Sequence, residues 1–251
     1  MKQPLLVIII SSLLGTHGTL IRPPPLLAGD TVRVIATGGV VTGTSLANGA
    51  AFLTSQYNLV TQLDAHVYDV DMYYAGSDAV RAQEVLDAYA DPNVTTIWAA
   101  RGKPQLYASI LLLKIVGGYG TARLLAQVQP TLLASLPQSP KWLIGYSDVT
   151  ALQALWNKAG VITMYAAMGI NIHTVTQAHR NSLFSAISTT TATTQMFTGA
   201  IRYTGPNNAG ASGRLLGGNL SVLASLVGSG FLPSYDGAIL FIEDTDEAAC
   251  T

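Results

Sequence analysis

Ser147 lies in KWLIGYSDVTALQAL, residues 141–155, where an apolar strand-like run breaks at Gly145 and restarts as a helix. A serine on such a corner is pushed out of the sheet edge, beside the free N–H groups of a helix start. That placement suits a nucleophile facing a developing oxyanion. Asp148 and Val149 follow the serine, so the pattern is not Gly-x-Ser-x-Gly. Read locally, Ser147 or Asp148 also fits a helix N-cap, which is the commoner use of these residue types at a helix start.

The elements that must position this corner alternate between strand-like and helix-like units. TVRVIATGG at 31–39 reads as a strand, followed by a helix through Leu46 to Tyr57. A second strand is expected around His66 to Val70, then a helix capped by Ser77 and stopped before Pro92. VTTIWAA at 94–100, KWLIGY, and VITMYAA at 161–167 supply three more strands. Strands separated by helix-length segments imply an α/β fold with a parallel sheet covered on both faces and ligands at its carboxyl edge. From residue 172 the character changes. A helical stretch at His179 to Ile187 and a threonine-rich, polar stretch to residue 210 read as a connector. A smaller C-terminal α/β region at 211–251 opens with GRLLGGNLSVLASLVGSG, in which Asn219 can cap a helix, and continues with the strand DGAILFIED. One helix and one strand are expected not to close a core by themselves, so this second domain is read as incomplete.

Composition narrows the partners. The chain has 251 residues, 49% of them apolar, with 13 basic against 14 acidic side chains and no basic stripe. This describes a globular protein and argues against a nucleic-acid partner. The single cysteine, Cys250, excludes a disulfide framework and a CxxC metal site. Residues 1–21 contain an apolar run from Pro4 to Leu14 that is too short to span a bilayer, and they read as a signal peptide cleaved near Gly18. The expected location is then secreted or extracytoplasmic, and cytoplasmic if the leader is not a signal. The N-terminal nucleophile domain is expected over 22–171, and a homodimer is compatible with the sequence.

Several segments together resemble one family. RPPPLLAGDTVRVIA, IWAARG with GGYGTARLL, KWLIGYSDVTAL, GRLLGGNLSVLASLVG and DGAILFIED occur in the order found in the serine LD-carboxypeptidases, which include murein tetrapeptide carboxypeptidases and microcin-immunity peptidases. The resemblance implies a flavodoxin-like or class I amidotransferase-like nucleophile domain. It also implies Ser-Glu-His catalysis that removes a C-terminal D-amino acid from a small L,D-peptide, without metal or cofactor. The family's serine falls on Ser147 and its acid on Glu243, which read alone is a solvated strand-end carboxylate. The GGYG loop at 117–120 resembles the family loop beside the nucleophile. Gly118 is therefore a candidate oxyanion donor together with the N–H of Asp148.

Three departures qualify the implied activity. The family's histidine lies several dozen residues beyond the glutamate, whereas this sequence ends at Thr251. His17, His66, His173 and His179 do not match its position, so the expectation is an incomplete triad and an inactive chain as written. Lys103 to Gly117 is an insertion whose excision restores AARGGYGTARLL, as an intron left in the reading frame would require. MYAAM at 164–168 replaces a histidine-glycine-proline run, at a strand end expected to line the substrate site. The alternatives are an immunity-type hydrolase of aminoacyl nucleotides and a non-catalytic homologue.

Overall fold

The computed structural model describes residues 20–101, 120–190 and 213–244. The expected leader up to residue 19, the insertion at 103–117, Gly118 and Cys250 lie outside these residues.

Five parallel strands form the main sheet in the order β2-β1-β3-β4-β5. They are β1 (Thr31–Ile35), β2 (Val60–Leu63), β3 (Val94–Ala99), β4 (Trp142–Gly145) and β5 (Met164–Tyr165). Central strands that bury both faces read as near-continuous apolar runs, and all four residues of β4 are buried. Alternation along the strands divides the core in two. Ile35, Ile97 and Leu143 face one cluster with Val85, Leu125, Leu132 and Leu155. Val34, Trp98 and Ile144 face the other with Leu46, Leu53, Leu183 and Ile187. These partners come from α2 (Asp78–Ala90), α3 (Leu125–Ser135) and α4 (Thr150–Lys158) on one face, and from α1 (Ser45–Tyr57) and α5 (Gln177–Ile187) on the other. The three tryptophans are buried, and each indole N–H reaches a carbonyl: Trp98 to Ala167, Trp142 to Pro24 and Trp156 to Lys141.

Local chemistry accounts for most element ends. Ser77 Oγ accepts from Val80 N–H at 3.3 Å, and α2 stops ahead of Pro92, as the sequence predicts. The expected second strand is displaced. Asn58 ends α1 in the left-handed region at φ 53°, so β2 begins at Val60, and a turn over residues 65–68 stands where the strand was expected. The turn is drawn by Asp64, whose carboxylate takes Arg33 Nε at 2.8 Å and Nη2 at 2.6 Å, and by the bond from Asp69 N–H to His66 O. β5 is also shorter than expected, because Val161 makes only an isolated bridge to Ile21.

Beneath this turn Glu84 of α2 is 3% exposed and Asp64 6%. Glu84 meets no hydrogen-bond donor in normal geometry. Burial first, and the adjacent Asp64 carboxylate second, push the Glu84 carboxyl up to about 9. Burial also raises Asp64, but Glu84, Arg33 and the His66 N–H outweigh it and hold Asp64 below its ordinary value.

A second, two-stranded parallel sheet joins β6 (Arg214–Asn219) to β7 (Ala238–Glu243) through α6 (Leu220–Leu226). Asn219 caps α6 as predicted, its Oδ1 accepting from Val222 N–H at 3.2 Å. Val222 and Leu226 pack into the same cluster as Val85 and Leu155, so this unit shares a core with the main sheet. Gly218, at φ 145°, lets β6 lie against α4: a Cβ there would stand 2.5 Å from Thr150 Oγ1. Among the described residues no helix is long and apolar enough to cross a membrane.

Candidate active site

β4 delivers the chain to the carboxyl edge of the sheet and then turns sharply. Tyr146 is extended, Ser147 is left-handed at φ 59°, and a single turn of 3₁₀ helix over Ser147–Val149 leads into α4. Such a conformation costs a non-glycine L-residue roughly 1–2 kcal/mol, so the surrounding structure must impose it. Gly145 supplies the room, since a Cβ there would meet Val149 at 2.9 Å and Ala99 at 3.0 Å. Buried Gln153 pins the turn from behind, its Nε2 donating to Gly145 O at 3.0 Å and Met164 O at 2.9 Å. No side-chain cap bond forms at the start of α4, so neither Ser147 nor Asp148 serves as the cap that the local sequence suggested.

The Asp148 side chain points into the protein. Its Oδ2 accepts from Thr121 N–H at 3.1 Å and from Thr121 Oγ1 at 2.7 Å, while Oδ1 is buried without a partner. Burial pushes this carboxyl up to about 7, against the pull of the Thr121 donors and of Arg81. Asp148 thereby ties the segment that follows the GGYG loop to the nucleophile turn. Arg81 packs against the same segment at Gly120. It is fully buried, donates to Thr37 O at 2.6 Å, Gly76 O at 3.2 Å and Asp78, and stacks 4.7 Å from the Tyr74 ring. Gly120 must be glycine there, because a Cβ would lie 2.7 Å from both Arg81 Nη1 and Tyr74.

Glu243 ends β7, in register with Asn219. Its Oε1 accepts from Asn219 Nδ2 at 3.3 Å and from the Tyr165 hydroxyl. Tyr165 Oη in turn accepts from Ser147 N–H at 2.8 Å. The two sheets therefore meet at one phenol, with Ser147 on one side and Glu243 on the other. Thr150 makes a second link, its Oγ1 accepting from Asn219 N–H at 3.0 Å. Asn219 Nδ2 also reaches Asp244 Oδ1 at 3.0 Å.

The structure thus brings Ser147, Asp148 and Glu243 to one edge. Among the described residues no histidine bonds to Ser147 or Glu243. His66 pairs with Asp69 at 2.9 Å in the turn after β2, His179 lies in the first turn of α5, and His173 lies in the turn before it. Nor do the described residues contain three or more His, Cys, Asp or Glu side chains grouped as a metal would need. Sequence reasoning missed the connecting roles of Tyr165, Thr121 and Thr150. Only Tyr165 left a signal, as the bulky residue at the carboxyl end of β5.

Most of the chain is similar to known proteins. Residues 32–113 and 108–166 match the LD-carboxypeptidase N-terminal domain, in two pieces that meet inside the 103–117 segment. Residues 212–251 match the LD-carboxypeptidase C-terminal domain. The chain is 29% identical over 238 residues to the probable murein peptide carboxypeptidase of Bacillus subtilis, covering 90% of this chain and 66% of that protein. It is 25% identical to the murein tetrapeptide carboxypeptidase of Pseudomonas aeruginosa, covering 74% of this chain but only 57% of the relative. The wild-type apo structure of the microcin C7 self immunity protein MccF superposes with a TM-score of 0.68 at 25% identity, covering 90% of this chain and 70% of that one. On both its sheets, this chain belongs to the LD-carboxypeptidase family.

Proposed function

We propose that the site is the Ser-Glu part of a serine hydrolase that removes a C-terminal D-amino acid from murein-type peptides. The observation that carries this reading is the convergence of Ser147 and Glu243, from separate sheets, on Tyr165. The corner at Ser147 acts as a nucleophile elbow. Ser147 Oγ attacks the carbonyl of the L,D-peptide bond, the N–H of Asp148 receives the oxyanion, and a base that Glu243 orients takes the serine proton and hands it to the leaving amine. On this reading Ser147 is the nucleophile and Glu243 the acid, and among the described residues no histidine bonds to either. The sequence as it stands is therefore expected to turn over slowly, since removal of the base from such a triad costs about 10⁴-fold or more.

The test combines labelling with turnover on the full chain. A fluorophosphonate should label Ser147 slowly, as a serine without its base reacts, and an L,D-linked murein tetrapeptide should lose its terminal D-residue slowly in wild type and not in Ser147→Ala. No labelling and no tetrapeptide binding would reduce the chain to a non-catalytic homologue. A second reading has support from the likeness to MccF, one structure of which, 25% identical, is a complex with aspartyl sulfamoyl adenosine. Faster cleavage of that class of aminoacyl nucleotide than of the tetrapeptide would favour it.

A further inference from the structure

We propose that Tyr165 is the positioning residue of this site, its hydroxyl fixing the Ser147 turn and the Glu243 carboxylate against each other across the two sheets. The inference rests on the reading of Ser147 and Glu243 given above. Tyr165 pairs with Gly145 in the sheet, so its Cα is held level with the start of the nucleophile turn. Its ring is gripped edge-on from both sides, 6.3 Å from Tyr146 at 70° and 5.4 Å from Phe241 at 72°. Tyr146 follows directly on β4 and Phe241 lies in β7, so the ring plane is set from both units.

The direction of the two hydrogen bonds follows from chemistry. A backbone N–H can only donate and a carboxylate can only accept, so the single phenolic hydrogen goes to Glu243 and the oxygen receives Ser147. Burial first, then Glu243 as hydrogen-bond partner and as charge, raise this phenol above its ordinary value, so it stays neutral and cannot act as the base. Two consequences bear on catalysis. The N–H of Ser147 is consumed, which leaves the N–H of Asp148 as the oxyanion donor on this turn. Both bonds from Tyr165 and Asn219 fall on Oε1 of Glu243, which leaves Oε2 to orient a base. Phenylalanine would preserve both aromatic contacts and lose both hydrogen bonds.

The experiment is a double-mutant cycle on the full chain with Tyr165→Phe and Glu243→Ala, read by amide hydrogen exchange at Ser147 and by the rate of fluorophosphonate labelling. Loss of one hydrogen bond should speed exchange at Ser147 about tenfold in Tyr165→Phe. Labelling should slow by a similar factor. Glu243→Ala, which removes the acceptor of the Tyr165 hydroxyl, should also speed exchange at Ser147, and should add nothing further in the Tyr165→Phe background, since the two substitutions break one chain of contacts. Unchanged exchange in Tyr165→Phe, or simple additivity of the two substitutions, overturns the proposal. If Tyr165→Phe does not fold, Glu243→Ala alone decides: an unmoved Ser147 amide overturns the coupling, and faster exchange upholds it. Absence of labelling in wild type would refute the hydrolase reading, while the exchange cycle would still judge Tyr165.

Discussion

Replacing Glu84 by glutamine separates the cost of a buried carboxyl from the packing around it. In the folded chain this carboxyl is raised to about 9, against an ordinary value of 4.5. The folded state therefore holds a proton that the unfolded chain releases. Its contribution to stability is complete below the unfolded value and is lost as the pH climbs toward the folded one. The slope is about 1.4 kcal/mol per pH unit, so the interval from pH 5 to pH 8 removes about 4 kcal/mol, or half that if the site relaxes to admit solvent. Glutamine carries no such proton and offers Asp64 an amide donor. Asp148, raised to about 7, adds a second falling slope, but it is present in both proteins and cancels in the comparison. Urea unfolding at pH 5 and pH 8, with unchanged m, measures the difference. The stability of Glu84→Gln relative to wild type should rise by about 2–4 kcal/mol between the two pH values. Parallel pH profiles would refute the reasoning, because they would mean that Glu84 titrates alike folded and unfolded.

Two further predictions concern the frame of the site. Gly218→Ala places a methyl group 2.5 Å from Thr150 Oγ1 on a backbone at φ 145°. It should cost about 1–3 kcal/mol in urea unfolding and slow labelling of Ser147 by parting the sheets at Thr150. Arg81→Met removes donors to Thr37, Gly76 and Asp78 from a fully buried position, and should lower stability by about 3–5 kcal/mol. Arg81→Lys should not restore it, since a single ammonium cannot reproduce the planar fork.

The main sheet was legible because buried parallel strands advertise themselves as apolar runs, and the caps at Ser77 and Asn219 because their side chains bond within one turn of themselves. β2 was not legible. Its residues Val60–Leu63 are half-exposed at a sheet edge, and the alternation in HVYDV imitates a strand where Asp64 and Arg33 instead draw a turn. At the site, the serine corner and the acid at the end of β7 could be read from segment order. The inward carboxylate of Asp148 could not, because the same residue beside a corner serves equally as a cap, and only Thr121, from a distant segment, decides which way it faces. Tyr165 stood out only as a departure, in the MYAAM run that replaces the family's histidine-glycine-proline. Its role comes from Glu243, 78 residues later and in the other sheet.

The buried guanidinium of Arg81 also bears on how the cleft can move. By tying Thr37 just beyond β1, the Gly76 turn and the start of α2 to one planar group, it makes that side of the described rim a single rigid block. Asp148 and Thr121 extend the block to the nucleophile turn. On the far side, the polar links found at the meeting of the sheets are the Tyr165 hydroxyl and the Thr150–Asn219 bond. Stiffness is thus unevenly distributed around the nucleophile. Moving β6 and β7 away from β5 would break those two links and part the shared core at Val222 and Leu226, while leaving the ties of the serine turn to Thr121 in place.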